Sequence, residues 1–459
     1  MTNPRAQTAI SALLLVVAAA CGGEAPSFYQ VAPAPRRLVM WLESDSLDLY
    51  TSALLQRAGV DEVVVQRGSV DLTGRAPVLR LDPAGVIEGS IPFGIVLEVR
   101  GIRPDIDRSV ADAVWQGIER DLDGTIPAEL ILDIPRLSAG CGEFVTQLSE
   151  VSGLAVVPLL GFDQLQTEEG IRVAKAARSC IIPAFGTDGA DLRGIGELDP
   201  LPLEKKVARL GGSGVRIRLA ISLRTRTEPP LDQLGEGLNL LTEEQTTTVT
   251  TRSILDRSFD FEKPTDWSGR SWQAGETVAV RWMDACRLHA ALQEIQRLAA
   301  PDVAGWDYVS FPAEDLKLGL TREALLRYLQ GDGPGPDVRV KVERSGRSVR
   351  IRFSNPSPFA TAVSNYGNWL QVAVDEGWMV AEGRGSFDGV TLGSIRSGRW
   401  QEGDRGRVDA ARFDEVYLAP GEELVTGTVR LPSSRSRVTV TWRLTLFDGS
   451  EITGEIRDQ

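Results

Sequence analysis

The sequence predicts an α/β protein in two parts, an irregular TIM-like (β/α)8 barrel followed by an all-β antiparallel sandwich domain. Three observations carry that expectation. Short apolar runs bounded by turn residues recur across residues 37–330, most clearly Glu129-Leu130-Ile131-Leu132-Asp133-Ile134-Pro135. Such a run reads as a strand buried on both faces, which a parallel sheet under helical cover requires. Helical patterns separate most of these runs, favouring a closed barrel over an open doubly wound sheet. After Gly331-Asp332-Gly333-Pro334-Gly335-Pro336, too rich in Gly and Pro for helix or sheet, the apolar residues switch to a period of two.

At the N-terminus, Arg5 precedes the apolar run from Ala9 to Ala20, too short to span a membrane but the length of a signal-peptide core. The run ends in Ala18-Ala19-Ala20-Cys21-Gly22. Small residues directly before a cysteine resemble the lipobox of bacterial lipoproteins, in which that cysteine becomes the acylated N-terminus. The expected partner is therefore a membrane, reached through acyl chains on Cys21; the alternative is an ordinary cleaved signal. Gly22 in place of aspartate resembles the pattern for outer-membrane or cell-surface delivery. Residues 22–36 read as a flexible tether.

Strand-like runs then follow at 38–43, 62–67, 94–100, 129–134, 154–160, 180–185, 215–222 and 306–311. Helical periodicity is expected over 46–58, capped by Asp45 or Ser46, and over 105–121, where Ile106, Val110, Ala113, Val114 and Ile118 share one stripe. Further helices are expected with Phe144, Val145, Leu148 and Val151 inward, over 163–178, over 283–299 and over 321–330. A polar, Thr-rich stretch, 224–279, interrupts the alternation and reads as an inserted hairpin or lid after the seventh strand. The expected domains are a signal segment 1–21, the tether, a barrel 37–330 containing the insert, a linker 331–337 and a sandwich 338–459. The sandwich is expected to hold about seven short strands, beginning with a hairpin around Ser345-Gly346.

Composition narrows the function. Asp and Glu number 63 against 50 Lys and Arg, giving a net charge of −13, which excludes nucleic acid as a partner held by phosphate neutralisation. His289 is the only histidine and reads as a solvated helix residue. Cys141, Cys180 and Cys286 have no metal-ligand spacing, and one disulfide among them is open. No P-loop or dinucleotide fingerprint occurs, so neither cofactor nor metal is expected.

Candidate chemistry rests on carboxylates at strand ends, where the βα loops of a barrel converge. Glu43, Glu98, Asp133 and Glu314 are the candidate catalytic residues, because glycoside hydrolysis needs two such groups facing one bond. Each is equally a natural helix cap or arginine partner. Trp41, Trp267, Trp272 and Trp306 are the candidate sugar-stacking residues, with core packing as their alternative use.

The Leu132-Asp133 strand end, WMDACRLHAAL at 282–292, GWDYVSFPAEDL at 305–316 and SNPSPFATAVSNYGNWLQV at 354–372 together resemble the bacterial domain-of-unknown-function 3142 family. That resemblance implies a degenerate relative of glycoside-hydrolase barrels, often lipoprotein-anchored. The family pattern has a second acid two positions after the first at the strand-four end, where this chain has Pro135. Two functions stand: a lipid-anchored envelope protein whose barrel binds or supports assembly without turnover, and a glycosidase-like hydrolase of envelope or extracellular polysaccharide. Carbohydrate is a candidate partner besides the membrane, and what a non-catalytic barrel would bind is left open.

Overall fold

Eight parallel strands, β1 (Leu38–Leu42), β2 (Glu62–Asp71), β3 (Phe93–Arg100), β4 (Glu129–Asp133), β5 (Ala155–Leu159), β6 (Ser179–Pro183), β7 (Arg216–Ser222) and β8 (Val303–Val309), pair in chain order. Pairing of β1 with both β2 and β8 closes the barrel. This computed structural model describes residues 37–42, 46–82, 88–184, 207–223, 226–228, 248–253, 256–267, 270–281, 283–299, 303–309, 311–312, 320–361, 367–403, 408–415, 418–446 and 450–458. Cys21, Glu43 and Glu314, with the expected signal segment and tether, lie outside the described residues.

Helices α1 (Leu49–Arg57), α2 (Arg108–Asp121), α3 (Cys141–Ser152), α4 (Glu168–Ala177), α5 (Ala285–Ala299) and α6 (Arg322–Leu329) supply the cover. α1 starts later than the sequence pattern suggests. Its cap is Asp48, whose side chain accepts from the Thr51 N–H at 2.8 Å and satisfies a donor the first turn leaves open. Asp107, Thr167 and Thr321 cap α2, α4 and α6 in the same way. In place of a helix after β2 there is a strand, Val78–Leu81, folded back antiparallel onto β2.

Strand alternation sorts the barrel's apolar residues into two shells. Met40, Val63, Leu97, Leu130, Leu132, Ile182, Leu219 and Tyr308 face the helices within a large outer cluster. Val39, Trp41, Val64, Val96, Ile131, Val157, Leu159, Ile181, Ala220 and Val309 form a separate cluster, the filled barrel interior. After β7 the described part of the insert is a four-stranded antiparallel sheet with a two-stranded hairpin, Thr265–Trp267 against Arg270–Trp272.

The C-terminal region holds a five-stranded and a six-stranded antiparallel sheet, so the described strands exceed the seven expected. The surplus comes from short strands such as Val380–Glu382, Glu423–Val425 and Thr428–Arg430, where the period-two signal is only three residues long. Val349, Ile351 and Phe353 from one sheet meet Leu370, Val372, Phe413 and Val440 from the other in one core. Phe359 packs into the barrel's outer cluster, Pro334 and Pro336 are buried, and the Cys286 thiol donates to the Pro334 carbonyl at 3.0 Å. The Gly/Pro-rich segment is thus pinned against α5.

Candidate functional site

The interior of a barrel strand is apolar unless something pays for a charge, and here four strands carry one. Glu62, Glu129, Arg218 and Asp307 share the parity of Val64, Ile131, Ala220 and Val309, which places them on the interior face. All four are almost fully buried. Arg218 reaches Glu129 with Nη1 at 2.8 Å and Asp307 with Nη2 at 3.0 Å and Nε at 2.9 Å, so one planar guanidinium holds two carboxylates. Arg37 enters from the N-terminal end, hydrogen-bonding Glu62 and lying 3.3 Å from Glu129. The Trp41 indole N–H donates to Asp307 at 2.9 Å.

Gly94 makes the room. A Cβ there would stand 2.6 Å from a Glu62 carboxylate oxygen and 3.1 Å from the Glu129 side chain.

Three carboxylates against two guanidiniums leave one acid in excess, and the protonation equilibria absorb it. Burial, with Glu129 beside it, pushes Glu62 up to about 7. Burial likewise raises Asp307 to about 6 against the pull of Arg218. Burial opposes the charge on Arg218 too, but Asp307 and Glu129 more than compensate and hold it above the ordinary arginine range. The cluster can retain a proton near neutrality. It stands toward the N-terminal end of the strands, away from the face where the βα loops converge.

At the C-terminal face, Glu98 and Asp133 are register partners on adjacent strands and share the interior parity of Val96 and Ile131. The structure therefore brings two of the four predicted carboxylates together. Glu98 is already engaged: Arg100 forks it, Nε to Oε1 at 2.6 Å and Nη2 to Oε2 at 2.7 Å. Asp133 is half-buried at the end of its strand.

The candidate stacking residues do not gather there. Trp41 fills the interior, and Trp306, 5% exposed, packs under the helices. Trp272 is buried in the insert, stacked on Phe261 at 4.9 Å with the Arg270 guanidinium 4.2 Å from its ring. Trp41 and Trp306 serve as core, because a large apolar ring on a strand buried on both faces has nowhere else to go, and Trp272 is buried within the insert. The Trp267 side chain lies outside the described residues.

His289 is 7% exposed, not solvated. Its Nδ1 lies 3.0 Å from the Tyr328 hydroxyl and its Nε2 2.8 Å from the Gln293 amide, tying α5 to α6. Cys141, Cys180 and Cys286 are buried and form no disulfide among the described residues, and burial pushes the Cys180 thiol up to about 12. No helix among the described residues is long and apolar enough to cross a membrane.

The interior cluster lies away from the C-terminal strand ends, where the sequence places the candidate carboxylates. Its signal was present as a charge at the interior parity of an apolar run, as in Glu62 before Val63-Val64-Val65 or Arg218 within Ile217-Arg218-Leu219.

No family model matches the chain, and no curated protein matches it. Among solved structures it is similar to a tamarind chitinase-like lectin, with 8% identity, TM-score 0.31, and 60% of this chain and 94% of that one covered. It is also similar to a modular endo-β-1,4-mannanase from Cellulomonas fimi, with 11% identity, TM-score 0.29, and 92% and 93% covered. A third is a β-porphyranase of glycoside hydrolase family 86 from Bacteroides plebeius, with 8% identity, TM-score 0.28, and 89% and 80% covered. The neighbours are glycoside-hydrolase-like barrels; superpositions this loose carry no argument about activity or ligand.

Proposed function

We propose that the chain is an exported, lipid-anchored envelope protein of the domain-of-unknown-function 3142 kind, whose glycoside-hydrolase-like barrel is a scaffold for binding or assembly and performs no turnover. The observation that supports it is the state of the mouth. Glycoside hydrolysis asks two carboxyl groups to address the substrate, one giving a proton and one attacking or activating water. Glu98 is committed to the Arg100 fork, and Pro135 occupies the place where the family pattern carries its second acid. Deeper in the barrel, Glu62, Glu129 and Asp307 are held by Arg37 and Arg218.

The test is release of reducing ends from β-1,4-glucan, β-1,4-mannan and chitin by the purified chain, alongside Asp133→Asn. The reading expects no release above buffer from either protein. Release that is abolished by Asp133→Asn would replace it with the hydrolase. The anchor is tested separately: Cys21→Ser should move the protein from the membrane fraction to the soluble fraction, and an unchanged distribution would remove lipidation from the reading.

A further inference from the structure

The six-stranded sheet of the sandwich turns one face to the core and the other to a cleft of about 940 Å³, at the upper end of the roughly 300–1,000 Å³ typical of ligand sites. On the strand Trp369–Val374, Leu370 and Val372 belong to the core, while Trp369, Gln371 and Ala373 line the cleft. Gln371 is in register with Arg412 on one side and Thr441 on the other, and Thr441 with Glu455, so one row across the sheet presents amide, guanidinium, hydroxyl and carboxylate. Strand spacing sets these groups about 4.8 Å apart.

Two half-buried tryptophans flank the row. The Arg412 guanidinium lies 4.3 Å from the Trp369 ring centre and 4.5 Å from that of Trp400, and donates to the Gln371 amide oxygen at 3.2 Å. One cation thereby fixes both rings before any ligand arrives. Gly393 is what lets Trp400 lie down on the sheet, since a Cβ there would stand 2.8 Å from the ring. The Arg412 Nε–H is buried with no hydrogen-bond partner among the described residues.

We infer that this cleft is a binding site for an uncharged oligosaccharide chain. Preset aromatic rings suit the apolar C–H faces of sugar rings, and the amide, hydroxyl and carboxylate row suits their hydroxyls. Charge argues against the other stacking ligands. Asp375, Asp409 and Glu455 line the cleft with only Arg396 and Arg412 against them, whereas single-stranded nucleic acid needs a basic groove. The inference stands apart from the barrel reading: it concerns a different sheet and holds whether or not the barrel turns anything over.

The experiment is calorimetric titration of the full chain with three hexasaccharides, β-1,4-linked glucose, mannose and N-acetylglucosamine, and with hexagalacturonate as the charged comparison. At least one neutral probe should bind. Trp369→Ala and Trp400→Ala should each weaken it tenfold or more, while Trp378→Ala, at a 52% exposed site outside the cleft, should leave it within twofold. Thr441→Arg fills the cleft from the sheet that floors it without removing core packing, and should abolish binding even where a tryptophan variant fails to fold. Binding of none of the neutral probes, binding of hexagalacturonate alone, or binding indifferent to Thr441→Arg would overturn the inference.

Discussion

In the barrel interior Glu62, Glu129 and Asp307 are held by Arg37 and Arg218, whereas in the sandwich Glu415, 8% exposed, meets another carboxyl group, that of Asp388. Burial raises the acids in both places. With guanidiniums at hand Glu62 and Asp307 rise to about 7 and about 6, but Glu415, with Asp388 sharing a hydrogen bond and Glu422 nearby, rises to about 9. The counterion, more than the depth, sets how far an acid departs from its ordinary range. The tryptophans divide along the same line, since the barrel encloses Trp41 and Trp306 while the sandwich opens Trp369 and Trp400 onto a cleft.

The largest expected effect breaks the barrel side of this comparison. Arg218→Met removes the cation that two buried carboxylates share, and stranding them should cost about 3–5 kcal/mol in denaturant unfolding. A cost below about 1 kcal/mol would mean that the cluster is not holding the interior together. Charge reversal elsewhere, at exposed pairs such as Arg327 with Asp332, should cost well under that.

The next effect is a dependence on pH. Glu62, Asp307 and Glu415 have raised pKa values, so between the ordinary carboxylate range and about 7, about 6 and about 9 respectively the folded chain keeps protons that the unfolded chain has released. Stability then falls as pH rises through each window, by up to about 1.4 kcal/mol per pH unit per group. The melting temperature should therefore be several degrees higher at pH 5 than at pH 8. A melting temperature that climbs toward pH 8 would contradict the protonated interior.

The smallest effect sharpens the contrast between the two clusters. Glu415→Gln keeps the shape and hydrogen-bonding capacity but removes the titration, so the decline above pH 7 should flatten and the decline between pH 5 and 7 should become shallower, leaving the part that belongs to the barrel. Loss of both slopes together would show that the two clusters are not independent.

Much of the barrel was legible in the sequence because a buried strand between helices leaves a compact trace, and Leu38–Leu42, Glu129–Asp133 and Arg216–Ser222 fall within a residue or two of the apolar runs that predicted them. Val78–Leu81 reads as extended, with no helix after the second strand, but its antiparallel pairing back onto β2 was not legible, since the segment is four residues long and half-exposed. The adjacency of Glu98 and Asp133 follows from two strand ends in register, which the strand order implied; the Arg100 fork depended on side-chain rotamers that no spacing encodes. The cleft was hidden for another reason. Trp369 and Trp400 lie far apart in sequence and meet only through Arg412, on a strand between them in the sheet.

The claim that binding lives on the sandwich and not at the barrel mouth is tested most directly by one titration run on two variants. With the neutral hexasaccharide that the parent chain binds best, the doubly substituted Glu98→Gln, Asp133→Asn chain should match the parent within twofold, and Trp369→Ala should lose tenfold or more. A barrel-mouth variant that loses the ligand while Trp369→Ala retains it would contradict the account.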